Sequence, residues 1–203
     1  MERLLIARHA HARSNHDGVV SCAPPGEGLS EQGREEALSL RAALADEPIK
    51  LGVATRLART RETLEAALGD RDVPRLVLSQ LDEIHFGEFE GGALADYRTW
   101  AWTTEPDMLC PGGGESRVTA ALRYADALEL LLGREERVVL AISHALPIRY
   151  VVDAADGGFP ASRIGPVSHA MAFSLAAPAV ELAATTLRTW AREPRFVDVS
   201  TDL

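Results

Sequence analysis

Lysine is almost missing from this chain of 203 residues: Lys50 stands alone among 21 basic side chains, the rest being arginine. That bias decides nothing about function. Cysteine is scarce as well. Cys22 and Cys110 stand far apart, which points to two reduced thiols and away from a disulfide framework or a cysteine metal site. No apolar run approaches the roughly 20 residues of a transmembrane helix. The N-terminus enters a strand pattern directly, without the apolar segment and small-residue cleavage site of a signal peptide. These absences point to a cytoplasmic protein with no membrane partner. Positive charge is in deficit, 21 basic against 30 acidic residues for a net charge of -9, which argues against nucleic acid as a partner.

What is present suffices for a full core. With 46% hydrophobic residues the chain reads as one domain over 1–203. Charge is spread unevenly. Residues 1–62 hold 9 basic and 9 acidic side chains, and residues 63–203 hold 12 and 21. The first third is therefore neutral, and its arginines suit a local positive cleft for an anionic substrate.

Several apolar runs end in polar residues. Leu4 to Ala7 has the continuous character of a strand buried on both faces, and it breaks into Arg8-His9-Ala10-His11. Ligands of open α/β sheets sit beyond the carboxyl ends of the strands. Ser30 predicts the N-cap of a helix running to about Asp46. A second strand over Ile49 to Ala54 leads to Leu57-Ala58-Arg59-Thr60 and a helix closed by Gly69. Arg59 falls in a first helical turn, where the dipole prefers acids, so an anion to be held is indicated. Arg75 to Leu78 reads as a third strand leading to Glu83, whose apolar setting predicts a raised pKa. A helix from Glu115 to Leu132 precedes a strong buried-strand signal, Arg137 to Ile142, which ends in Ser143-His144. Residues 168–175 and 180–189 read as two closing strands. Residues 92–114, with Tyr97, Trp100 and Trp102, read either as a lid or substrate wall or as a peripheral helix packing its aromatics.

Four strand ends thus bring together Arg8 with His9, Arg59, Glu83 and His144. A nucleophile, two guanidinium clamps, a proton donor and a second imidazole are the parts of phosphoryl transfer through a phosphohistidine. Other chemistries fit worse. There is no Walker loop and no His-Glu-x-x-His. Cys110 and Arg117 are separated by six residues where a cysteine-phosphatase loop needs five. His9, His11 and His16 lack a regular ligand spacing, and Arg8 and Arg13 would repel a cation.

At these positions the chain resembles the histidine phosphatase superfamily, in its phosphoglycerate-mutase-like branch. Arg8-His9-Ala10 with Asn15 resembles the Arg-His-Gly motif and its downstream Asn. Leu29-Ser30-Glu31-Gln32-Gly33-Arg34 resembles the Leu-Thr-x-x-Gly-Arg segment. Leu57-Ala58-Arg59-Thr60 with Thr63 resembles the second-arginine motif, and Glu83 to Gly91 the segment carrying the proton donor. Gly114-Glu115-Ser116 and Ser143-His144 complete the pattern. Ala10 stands where Gly is usual, and Ala145-Leu146 replaces a Gly pair.

The resemblance implies an α/β fold: a three-layer αβα sandwich around a mostly parallel six-stranded sheet with one antiparallel strand. It implies His9 as nucleophile, Arg8, Arg59 and His144 as phosphate pocket with Asn15 assisting, and Glu83 as acid/base. It implies no metal and no cofactor. The expected partner is a small phosphate ester; the oligomeric state is left open. Residues 84–116 are expected to form a lid-like insertion, with Arg98 their only basic residue beside Glu88, Glu90, Asp96, Glu105, Asp107 and Glu115. That segment is expected to repel a second phosphate, to accept an apolar leaving group, and so to favour hydrolysis of monophosphates. The alternatives are a mutase-type phosphotransferase and a phospho-ligand-binding protein without turnover.

Overall fold

The computed structural model describes residues 1–197. The sheet comprises β1 (Arg3–Arg8), β2 (Leu51–Ala54), β3 (Arg75–Val77), β4 (Val138–Ser143) and β5 (Ala172–Ala176), in the spatial order β3-β2-β4-β1-β5. β1 is parallel to β4 and antiparallel to β5, and β2 is parallel to both β3 and β4.

Side chains of β1 alternate between two apolar cores. Leu4 and Ile6 join one with α5 (Arg117–Leu132), α6 (Ala145–Ala155) and α7 (Ala177–Arg192). Leu5 and Ala7 join the other, with Leu40 and Leu44 at α2 (Glu31–Ala43) and Leu64 and Leu68 of α3 (Ala58–Leu68). A strand covered on both faces has no polar side to offer, which is why β1 reads as an unbroken apolar run. Two short helices, α1 (Arg13–His16) and α4 (Leu94–Ala101), lie in the connections.

Helix starts follow the local chemistry. Ser30 caps α2, its side chain accepting from Gly33 N–H at 3.1 Å. Ser116 caps α5 in the same way through Thr119 N–H, at 3.0 Å. Gly33 is needed where it stands, because a Cβ there would lie 1.9 Å from the carbonyl oxygen of His11.

Two expectations are corrected. The sheet of the described residues has five strands, not six. The missing strand is the one expected over 180–189, which is the body of α7. Val180, Ala183, Ala184, Leu187 and Trp190 are its buried apolar residues, spaced three and four apart as on one face of a helix. The other closing strand, expected over 168–175, forms as β5 from Ala172. Residues 168–171 belong to the preceding loop.

Candidate active site

Register builds the centre of the site. β1 and β4 run side by side, and Arg8 pairs with Ser143. His9 and His144 therefore leave adjacent strands together, with ring centroids 5.2 Å apart. His9 N–H donates to the Ser143 carbonyl at 2.9 Å. Arg59, the second residue of α3, reaches into this pair. Its Nε donates to His9 Nε2 at 3.2 Å, and its Nη2 to Ser21 O at 2.8 Å and to His144 Nδ1 at 3.3 Å. Thr63, one turn on, accepts from Ala10 N–H at 2.9 Å and so ties the β1 loop to α3.

These bonds assign the tautomers. His9 Nδ1 donates to the Ala10 carbonyl at 2.8 Å, which leaves Nε2 with its lone pair toward Arg59. His144 Nε2 is held by Thr55 Oγ1 at 3.1 Å, and Thr55 Oγ1 by Thr60 Oγ1 at 2.8 Å. Burial, and next the Arg59 charge, push both histidines well below their ordinary pKa, so both are neutral. Glu83 moves the opposite way. Its half-buried carboxyl is raised by loss of solvent, against the pull of Arg59 and Arg8, while Ile84 N–H donates to its Oε1 at 3.1 Å.

Arg8 donates through Nη1 to the Val167 carbonyl at 2.8 Å. Among the described residues, its Nε and Nη1 of Arg59 are buried with no hydrogen-bond partner. Buried guanidinium donors are seldom left open, because each forfeits its solvation without replacement. Both side chains line one cavity of about 390 Å³, with His9, Asn15 and Glu83. Asn15 accepts from Ala12 N–H at 3.0 Å through its carbonyl oxygen.

Residues 84–116 form a wall of this cavity. They are tied to the loop before them, where Gly91 N–H donates to the Val20 carbonyl at 3.0 Å, and to themselves, where Glu88 N–H donates to the Pro111 carbonyl at 2.8 Å. Gly87 allows the second contact, since its φ is +56° and a Cβ would lie 1.9 Å from that same oxygen. The wall contributes Ile84, Phe86, Leu94, Tyr97, Arg98 and Trp102 to the cavity. None of its six acids is among the lining residues. Glu90 accepts from Cys22 N–H and Ala23 N–H, and Glu115 pairs with Arg123. The acidity expected to repel a second anion is therefore not turned toward the cavity. The aromatics divide between two roles: Trp102 lines the cavity, while Trp100 packs against Tyr97 with centroids 6.0 Å apart.

The model for the histidine phosphatase superfamily, branch 1, matches residues 4–177. The chain belongs to this superfamily. A Salmonella typhimurium (strain LT2) relative named adenosylcobalamin/alpha-ribazole phosphatase is 34% identical over 119 residues, 56% of this chain and 58% of that protein. An Escherichia coli K12 relative of the same name is matched over 43% of its length, so the chain spans about half of these relatives. A glucosyl-3-phosphoglycerate phosphatase of Mycolicibacterium vanbaalenii is 29% identical over 159 residues, 71% of this chain and 69% of that one. Bacillus stearothermophilus YhfR shares the fold with a TM-score of 0.75 at 22% identity, over 85% of this chain and 89% of that one. The alpha-ribazole phosphatase of Shigella flexneri does so with a TM-score of 0.74 at 24% identity and the same coverage.

Within this superfamily chain, Arg8, His9, Arg59 and His144 come together, and Glu83 and Asn15 line the same cavity as all of them but His144. Of the two departures from the family motifs, Ala145 and Leu146 line the cavity, whereas Ala10 is wholly buried. Two further residues stand at the site that the strand-end pattern does not include. Arg117 lines the cavity from the first position of α5, and its signal was available: like Arg59, it opposes the helix dipole. His169 lies with its ring centroid 5.7 Å from His9, brought there by the loop before β5, and no local pattern announces it.

The three histidines have a consequence for stability. Burial holds His9 and His144 neutral and pushes His169 down to about 4. An unfolded chain takes up these protons below the ordinary histidine pKa of 6.5, while the fold refuses them. Stability is therefore complete above that value and lost as pH falls below it, at up to about 1.4 kcal/mol per pH unit for each histidine protonated only when unfolded. Urea midpoints should drop between pH 7.5 and pH 5.5, and less in His169→Asn. Equal midpoints at both pH values would count against neutral burial.

Proposed function

We propose that the protein is a phosphomonoesterase of small phosphorylated metabolites working through a phosphohistidine on His9. One observation carries the reading: the unpartnered buried donors of Arg8 and Arg59 beside the lone pair of His9 Nε2. Phosphate oxygens suit those donors, because guanidinium forks match them in charge and geometry. The names of the superfamily relatives support hydrolysis of a phosphate ester.

In the first step His9 Nε2 attacks phosphorus and the ester P–O bond breaks. Arg8, Arg59 and His144, with Asn15, hold the non-bridging oxygens, and Glu83 protonates the leaving oxygen. In the second, Glu83 takes a proton from water, the water oxygen attacks phosphorus, and the P–N bond breaks. Residues 1–203 act as one domain in this reading, with 84–116 as a lid-like wall over the leaving group. A cytoplasmic location accords with the free, buried thiols Cys22 and Cys110.

Arginines supply here the positive charge that a metal ion supplies elsewhere. Hydrolysis of p-nitrophenyl phosphate should therefore survive exhaustive chelation and be inhibited by orthovanadate. Loss of activity on chelation, restored by one particular metal, would refute metal independence. Phosphate binding without turnover of any ester would make the chain a binding protein. Formation of 2-phosphoglycerate from 3-phosphoglycerate faster than phosphate release would make it a mutase.

A further inference from the structure

Glu90, one of the six acids of the wall, stands one peptide unit away from Arg59. The loop before Cys22 is paired to the wall through backbone: Val20 N–H donates to the Gly92 carbonyl and Gly91 N–H to the Val20 carbonyl, both at 3.0 Å. Among the described residues that backbone pairing ends at Val20. The Glu90 carboxylate takes over from there. Cys22 N–H donates to its Oε2 at 2.9 Å, and Ala23 N–H to its Oε1 at 3.0 Å. The Cys22 thiol, kept protonated by burial, donates to Oε2 at 3.0 Å. Glu90 forms no ion pair among the described residues.

The Ser21–Cys22 peptide is thus held at both ends. Its N–H is bound by Glu90, and its carbonyl accepts from Arg59 Nη2 at 2.8 Å. A trans peptide is planar, with N–H and C=O pointing opposite ways, so fixing one end aims the other. The two bonds polarise the peptide in the same sense, which strengthens each. Arg59 is only 4% exposed, and a buried cation needs an answering charge. Burial works against its charge, and Glu83 and Glu90 are among the groups that support it. Glu83 gives that support only without its proton, which the first chemical step requires it to carry. A carboxylate touching Arg59 would occupy the donors a phosphate needs. Placed one peptide away, Glu90 leaves Nη1 open.

We propose that Glu90 is a positioning residue: through the Ser21–Cys22 peptide it holds Arg59 with Nε toward His9 and Nη1 free for a phosphate oxygen. It touches neither substrate nor nucleophile and moves no proton. The proposal rests on the phosphatase reading above for its effect on turnover, and on the Arg59 geometry alone for its effect on anion binding.

The test reads binding and turnover separately. Glu90→Gln keeps the shape and removes the charge and one acceptor oxygen. Calorimetry with orthovanadate should show binding about 10- to 100-fold weaker than wild type, the range of a hydrogen bond to a charged group. The kcat/KM for p-nitrophenyl phosphate should fall by a similar factor. Glu90→Asp keeps the charge on a shorter arm and should lose only about three- to tenfold in each. Coupling to Arg59 separates positioning from a general structural role. In an Arg59→Ala background, Glu90→Gln should cost less than about threefold in kcat/KM, because the residue it positions is gone. The full loss in that background would overturn the proposal, as would unchanged vanadate affinity in a folded Glu90→Gln protein. Thermal midpoints identify a variant that fails to fold. Should Glu90→Gln be one, Glu90→Asp carries the comparison, and wild-type vanadate affinity in it would refute the role. If no ester turns over, the phosphatase reading fails on its own account, and the vanadate affinities alone decide for or against Glu90.

Discussion

His9→Ala should abolish phosphoester hydrolysis, lowering kcat by about 10⁴-fold or more, as loss of a covalent nucleophile does elsewhere. The expected size follows from how completely the imidazole is prepared. Nδ1 is engaged by the Ala10 carbonyl, so the ring presents Nε2 alone. Burial and the Arg59 and Arg8 charges keep it unprotonated. Arg59 fixes its direction at 3.2 Å from Nε2. Quenching the wild-type protein within milliseconds of adding a phosphorylated substrate should trap an acid-labile, base-stable adduct on His9. The phosphoryl group should sit on Nε2, which phosphorus NMR distinguishes from Nδ1. Near-normal turnover by a folded His9→Ala protein would sink the mechanism. Phosphate on Nδ1 would sink the tautomer assignment.

Glu83→Gln should show the second largest loss, and one that depends on the leaving group. A general acid matters most where the departing oxygen is strongly basic. Alkyl phosphates should lose about 10²- to 10⁴-fold in kcat, and p-nitrophenyl phosphate less than about tenfold. Burial raises the Glu83 pKa, so the carboxyl stays protonated to higher pH than an ordinary glutamate. As pH rises through that value the acid is lost, so alkyl ester hydrolysis should fall on a basic limb that Glu83→Gln lacks. Equal losses on both ester classes would count against this role. Two neighbouring acids are poor substitutes. Glu90 accepts hydrogen bonds from Cys22 and Ala23, and Glu88 is exposed and outside the cavity lining.

Legibility differed sharply between parts of the chain. The apolar runs before Arg8 and His144 were readable because a strand covered on both faces has no polar alternation to disguise it. Ser30 was readable because an N-cap is a local event, settled by the side chain itself. Residues 180–189 were readable too, but at the wrong period. Val180, Ala183, Ala184 and Leu187 follow the helical spacing, with Pro178 in the first turn to support it. That error added the sixth strand.

The acids of residues 84–116 mark where composition stops being informative. Counting them indicates a repelling wall, but charge acts through position, and Glu90 and Glu115 are engaged by backbone N–H groups and by Arg123. What the wall turns toward the cavity is Ile84, Phe86, Leu94, Tyr97, Arg98 and Trp102. His169 was unreadable for a related reason. Its approach to His9 depends on the loop preceding an antiparallel strand, and no period or spacing encodes a return of that kind.

The sequence by itself determined the two cores, the capped helices and the residue types at the strand ends, because these follow from side-chain period and short-range hydrogen bonding. Only the tertiary structure decided which charges meet. The β1–β4 register sets His9 against His144, and α3 swings Arg59 between them. The wall turns its acids aside, and Arg117 is left buried at the cavity it shares with Glu83. Coulombic and hydrogen-bond energies depend on distances of a few ångströms between residues up to 159 positions apart, and only the packed fold sets those distances.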